Sequence, residues 1–195
     1  MFADIWCPFA YVGLRVVRAR RDMRSPSTRI RVRAWPLELV NNAPMDVVKT
    51  THHIKDLKEQ LGLVLFRGFD PGNFPTTTLP GLAFVAAAAR VDQDEAASYR
   101  VREALWEEGR DIGDETVVAD LAASLGVAVT DADHQAVLDD WHEGQALGVQ
   151  GSPHFFCGDR NEFCPSLSMD RDDDGQLHVK PDPYRLEAFL EGCWR

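Results

Sequence analysis

Residues 2–6, FADIW, are apolar and aromatic around Asp4 and predict a short buried strand. Tyr11, Leu14 and Val17 follow at helical spacing, giving a helix that runs to about Met23. Pro8 falls in its first turn, where a missing N–H is tolerated. After a turn at Ser25-Pro26-Ser27, residues 29–39 alternate. Ile30, Val32 and Ala34 oppose Arg29, Arg31 and Arg33, the period of a half-buried strand. The chain therefore opens as strand, helix, strand, the start of a parallel βαβ unit.

A different texture occupies residues 45–147. Helical spacing covers 47–65, and FDPGNFPTTTLPG (69–81) is a loop rich in Pro, Gly and Thr. Thr78 or Leu79 caps a helix with Pro80 in its first turn, continuing through AFVAAAARV. Further helices are predicted over 95–108, with Tyr99, Leu105 and Trp106, over 114–125, stopped by Gly126, and from Thr130 or Asp131 to about Leu147. The pattern then changes back. GVQGSPHFFCGDRNEF reads as a loop, a strand over 153–157, a turn at 158–161 and a second strand. The acidic stretch DRDDDGQ (170–176) is an exposed turn without the spaced ligands of an EF-hand. Residues 183–193 form a closing amphipathic helix with Leu186, Phe189 and Leu190 inward. The expected fold is α/β: a four-stranded mixed sheet, βαβ then ββα, built from 1–44 and 148–195, with an inserted all-helical domain over 45–147.

The composition narrows the partners. With 195 residues, 45% of them hydrophobic, the chain can bury a real core. A formal charge of −10 argues against nucleic acid or an anionic membrane as main partner, because phosphates are repelled overall. No apolar run approaches the ~20 residues of a membrane span, and no charged leader precedes an apolar stretch. A cytoplasmic protein is expected, with Cys7, Cys157, Cys164 and Cys193 as free thiols.

Cys7-Pro8-Phe9-Ala10 is the main candidate site. A thiol at a helix N-terminus faces unpaired N–H groups and the positive end of the helix dipole, so a lowered pKa and a reactive thiolate are expected. Cys7-Pro8-Phe9-Ala10 after a strand, the helical insertion containing ALWEEGRDIGDETVVADLAASLG, and GVQGSP before a strand together resemble the DsbA-like branch of the thioredoxin superfamily. The insertion is similar to that of the FrnE-like subgroup, related to 2-hydroxychromene-2-carboxylate isomerase and kappa-class glutathione transferases. The resemblance spans nearly the whole chain and implies a thioredoxin-like fold. It also implies that Pro153 is cis and faces Cys7, leaving the backbone of Ser152 free to pair with a peptide or thiol ligand. One departure is specific: relatives with redox activity carry Cys-x-x-Cys, and here Ala10 replaces the second cysteine.

A lone thiol cannot release its own mixed disulfide, so release requires an external thiol. The expected activity is thiol oxidoreduction through Cys7, with glutathione or mycothiol as the small thiol and no covalently bound cofactor. A small thiol or a peptide or protein thiol is the expected substrate. The alternatives are a thiol-dependent isomerase or transferase and a noncatalytic binding protein. The catalytic reading requires an exposed, ionised sulfur.

Other residues add less. Pro8, Phe9 and Ala10, with Ser152, Pro153 and Asn41, are the candidate substrate- or thiol-binding residues; Asn41 enters only through the related branches. If Asp159-Arg160 form the hairpin turn, Cys157 opposes Glu162 and Phe155 opposes Cys164, placing Cys157 and Cys164 as diagonal neighbours ~7–8 Å apart. Cys164 lies two strand spacings from Cys7, about 10 Å, so resolution by Cys164 requires loop movement. Cys193 is assigned a structural place and His154 a half-exposed one. Phe69, Phe74 and Thr76–Thr78 are candidates for a lid. His52 and His53 are adjacent, not i, i+4, and no metal site is expected. Relatives of this kind often dimerise, which leaves a homodimer open.

Overall fold

The computed structural model describes residues 1–193. Strands β1 (Phe2–Ala3), β2 (Arg33–Ala34), β3 (His154–Cys157) and β4 (Arg160–Phe163) form one mixed sheet in the order β2-β1-β3-β4. β1 pairs parallel to β2 and antiparallel to β3, and β3 pairs antiparallel to β4. Helix α1 (Pro8–Arg24) makes the crossover between β1 and β2. It buries Tyr11, Leu14 and Val17, the stripe that the spacing predicts, together with Ala10.

β2 is much shorter than the alternation over 29–39 suggests. The Val32 amide turns to the Asp94 carboxylate at 2.9 Å instead of continuing a ladder. Beyond Trp35, Pro36 opens a short helix, α2 (Leu37–Asn41), where the alternation predicts a strand. That helix start is fixed from outside itself: the Leu37 amide donates to the Asp4 carboxylate.

The helices between the two halves of the sheet are α3 (Val47–Leu61), α4 (Leu79–Ala89), α5 (Asp94–Trp106), α6 (Glu115–Ser124) and α7 (Asp131–Ala146). Their starts follow local capping chemistry. Asp46 accepts from the Val48 and Lys49 amides, Asp114 from Thr116, and Thr130 with Asp133 forms a capping box. α7 lies so close to the sheet that a Cβ on Gly144 would sit 2.7 Å from the Trp35 ring.

Two strands lie outside the predicted set. β5 (Leu167–Arg171) and β6 (Leu177–Pro181) form a separate antiparallel hairpin, and the acidic stretch is its turn. Gln60 of α3 ties the hairpin down, donating to Leu177 O and accepting from Val179 N. α8 (Pro183–Glu191) closes the described chain with Leu186, Phe189 and Leu190 buried.

Candidate active site

Cys7 is the N-cap residue of α1, with Pro8 directly after it. Its carbonyl accepts the Ala10 and Tyr11 amides at 3.1 and 3.2 Å. Its thiol donates to the carbonyl of Ser152 at 2.9 Å. The Ser152–Pro153 bond is cis. Two segments far apart in sequence therefore meet, Cys7-Pro8 and Ser152-Pro153. Gly13 allows the approach, since a Cβ there would already lie 3.4 Å from Pro153 Cγ and 3.3 Å from Ser166 Oγ.

The thiol is not in the state expected from its helix position. Cys7 is only 4% exposed. Burial pushes its pKa up to about 11, against the Ser152 hydroxyl and the Ala10 and Phe9 amides, all of which favour the thiolate. Desolvation thus outweighs the helix N-terminus, and the exposed, ionised sulfur is corrected to a buried, protonated one. An aromatic cluster packs on the neighbouring residue, Trp6. Phe74 stacks on Trp6, the residue before Cys7, with centroids 6.3 Å apart and planes 19° apart. Phe69 packs on both Phe74 and Trp106. The segment carrying Phe69 and Phe74 is fastened at both ends. The Phe66 amide donates to Glu107, and the Thr77 hydroxyl and Thr78 amide donate to Glu38.

A polar layer lies beneath Cys7. Asp4 is fully buried; it accepts the Trp6 and Leu37 amides, and burial lifts its pKa to about 6. Its own amide donates to Ser152 Oγ at 2.9 Å, so Asp4 also positions the proline loop. Arg102 of α5, also fully buried, donates to Asp4 O at 3.0 Å, and Trp106 Nε1 donates to Ile5 O at 3.1 Å. From the sequence, Asp4 near Cys7 reads as strand-edge polar packing, with proton transfer as the alternative, and Arg102, Glu38 and Glu107 are missed. An arginine in a helix otherwise bearing Ala97, Val101, Ala104 and Leu105 was the available signal.

The remaining candidates divide. Ala10, where a second cysteine would stand, is fully buried. Phe9 is half-buried, edge-on to His53 of α3 with centroids 5.2 Å apart. Asn41 is exposed at the end of α2 and has no hydrogen bond to the Cys7 cluster. His154 is buried, not half-exposed. Its Nδ1 accepts the Gln150 amide and its Nε2 meets Asn161 Oδ1, both at 3.0 Å. This is the bonding of a neutral ring whose pKa burial lowers. The hairpin register is also corrected: Gly158-Asp159 form the turn, Cys157 opposes Arg160, and Phe155 opposes Glu162. Gly158 takes a φ of 61°, which a glycine supplies without strain. Cys164 is buried behind the proline loop. Its amide donates to Pro153 O at 2.9 Å, and burial and then Cys7 push its thiol up to about 12.

Residues 1–174 match the DSBA-like thioredoxin domain. The chain belongs to that family. Among solved structures of the same fold, the cytosolic disulfide reductase DsbM from Pseudomonas aeruginosa is 19% identical, covers 97% of this chain and 95% of its own, and superposes with a TM-score of 0.64. That reductase has also been solved with GSH. A putative protein disulfide isomerase from Nitrosomonas europaea is 16% identical, with coverages of 97% and 93% and a TM-score of 0.68. The 2-hydroxychromene-2-carboxylate isomerase is 21% identical, with coverages of 83% and 86% and a TM-score of 0.61. No match was found among curated proteins. At these identities the structural likeness speaks for the fold that sets Cys7 beside the proline loop.

Proposed function

We propose that the protein is a DsbA/FrnE-like thiol oxidoreductase that uses Cys7 as its single active-site sulfur and a low-molecular-weight thiol as co-reactant. The observation that carries this reading is the 2.9 Å hydrogen bond from the Cys7 thiol to the Ser152 carbonyl, ahead of cis Pro153. A substrate strand entering there takes over the Ser152 carbonyl and leaves the sulfur free. The resting site is closed. Opening the site to a substrate returns water to Cys7 and removes the main cause of its high pKa, its burial. The Ser152 hydroxyl and the helix amides then act on a solvated sulfur, and all of them favour thiolate.

In the first step Cys7 thiolate attacks a disulfide, forming a mixed disulfide and expelling one thiolate. A small thiol, glutathione or mycothiol in a reducing cytoplasm, then attacks that mixed disulfide as its thiolate. The Cys7 thiolate is restored, and the retained group leaves as a disulfide with the small thiol. Ala10 supplies no internal thiol, so the second step depends on the external one. The family membership and the fold shared with a reductase solved with GSH support this choice.

A second reading follows from the burial of Cys7. A protonated thiol with a pKa near 11 is a hydrogen-bond donor and can hold the sulfur of a bound small thiol in an isomerase or transferase reaction. Intact mass spectrometry after incubation with oxidised glutathione separates the two. A single adduct on Cys7 that excess glutathione removes is the expected result. Glutathione binding by calorimetry with no Cys7 adduct at any pH supports the second reading and overturns the first.

A further inference from the structure

β3 ends at Cys157, directly opposite Arg160 on β4. Arg160 reaches across to the last turns of α8, where its Nη1 donates to Ala188 O at 3.1 Å. Its guanidinium lies flat against Gly192, and a Cβ there would fall 2.7 Å from Cζ, Nε and Nη1. A side chain at position 192 would push the guanidinium aside. Arg160 therefore clamps the end of α8 to the end of β3, and the next residue after Gly192 is Cys193. Cys157 and Cys193 line one cavity of about 170 Å³ together with Phe155, Phe189 and Leu190. Both are half-buried free cysteines. They also interact: burial and then Cys157 push the Cys193 thiol up to about 12, while Arg160 pulls it down.

We propose that Cys157 and Cys193 form a second, oxidisable thiol pair that a low-molecular-weight disulfide such as oxidised glutathione closes to an intramolecular disulfide, pinning α8 to β3. Cys157, as thiolate, attacks one sulfur of oxidised glutathione, forming a mixed disulfide and releasing one glutathione thiolate. Cys193 loses its proton and attacks the Cys157 sulfur, and the second glutathione leaves. Two protein thiols are oxidised, one disulfide is reduced to two glutathione molecules, and these carry the two protons. The pair stands at the opposite end of β3 from Pro153, so it is separate from the Cys7 chemistry.

The test is peptide mapping of the full-length protein after incubation with oxidised glutathione and alkylation of the remaining thiols. Trypsin places each of the four cysteines on a different peptide. The expected product is two hydrogens lighter, has lost two alkylatable thiols, and yields a linked peptide pair carrying Cys157 and Cys193. Cys157→Ser and Cys193→Ser each lose that species, and the surviving thiol carries glutathione instead. Stable glutathione adducts on Cys157 or Cys193 without linkage in the folded wild type overturn the proposal. So does linkage of either cysteine only to Cys7 or Cys164. A Cys7 adduct with no second pair sinks this inference alone and leaves the Cys7 reading standing.

Discussion

Ser152 holds Cys7 and Asp4 at once: its carbonyl accepts the Cys7 thiol at 2.9 Å, and its hydroxyl oxygen accepts the Asp4 amide at the same distance. One serine therefore joins the start of α1, the strand leading to it, and the proline loop. Ser152→Ala keeps the carbonyl and removes the hydroxyl. A buried amide then loses its partner, which costs about 1–3 kcal/mol. The hydroxyl also favours the Cys7 thiolate, so its loss raises the Cys7 pKa further. Denaturant unfolding should show the loss of stability, and iodoacetamide should react with Cys7 more slowly at a given pH. Unchanged alkylation would mean that the hydroxyl does not reach the sulfur.

The aromatic cluster beside Trp6 gives a second prediction. Phe74 stacks on Trp6 and packs on Phe69 and Trp106, so Phe74→Ala should loosen the segment packed on the residue before Cys7 at a stability cost on the order of 1–3 kcal/mol. Gly68→Ala attacks the same segment from its anchor, because a Cβ there would lie 2.4 Å from the Glu107 carbonyl carbon. Both variants should speed Cys7 alkylation and lower its apparent pKa, since water replaces a desolvated setting. Equal rates in wild type and both variants would place the barrier to Cys7 access elsewhere.

How much of this was legible in the sequence depends on how local each cause is. Cys7-Pro8 at a strand-to-helix junction, the α1 stripe and the capped helices α3, α6 and α7 are set by neighbours in the chain, and periodicity finds them. α2 is not, because the Leu37 amide takes its partner from Asp4 across the fold. The β5–β6 hairpin hides under Asp170, Arg171 and the acids that follow, and its hold comes from Gln60 of α3. The thiol state of Cys7 escapes a sequence reading for the same reason. The Ala10 and Phe9 amides are local and visible, whereas the Ser152 hydroxyl and the burial that outweighs all of them come from the tertiary fold.

Asp4 should leave a signature in pH-dependent stability. Its folded pKa lies at about 6, above the ordinary 3.8, chiefly through burial. The folded state therefore binds the proton more tightly than the unfolded chain. This contribution is fully present below about pH 4 and is lost as pH rises through about 6, a change of about 3 kcal/mol. Asp4→Asn cannot titrate, so the stability difference between wild type and variant should shift in favour of wild type as pH falls from 7 to 4. The ionised carboxylate also raises the Cys7 pKa, so the variant should alkylate faster at neutral pH. A pH-independent difference would show that Asp4 keeps an ordinary carboxylate pKa in the folded protein.

Restoring the missing cysteine tests the single-sulfur mechanism most directly. Ala10 is fully buried in the first turn of α1, and its amide donates to Cys7 O at 3.1 Å. Ala10→Cys adds one sulfur to a packed site, which costs about 1–3 kcal/mol where the neighbours cannot shift. If Cys7 exchanges with disulfides, the new thiol sits one helical turn away and can attack the mixed disulfide from within. The variant should then release its glutathione adduct without added thiol and accumulate an intramolecular bridge between Cys7 and the introduced thiol, whereas the wild-type adduct persists until glutathione is supplied. Single-turnover release followed by mass spectrometry reads both. If the variant folds and binds glutathione but its adduct is as long-lived as the wild type's, the sulfur at position 7 is not oriented for exchange, and the donor role of the second reading gains the support.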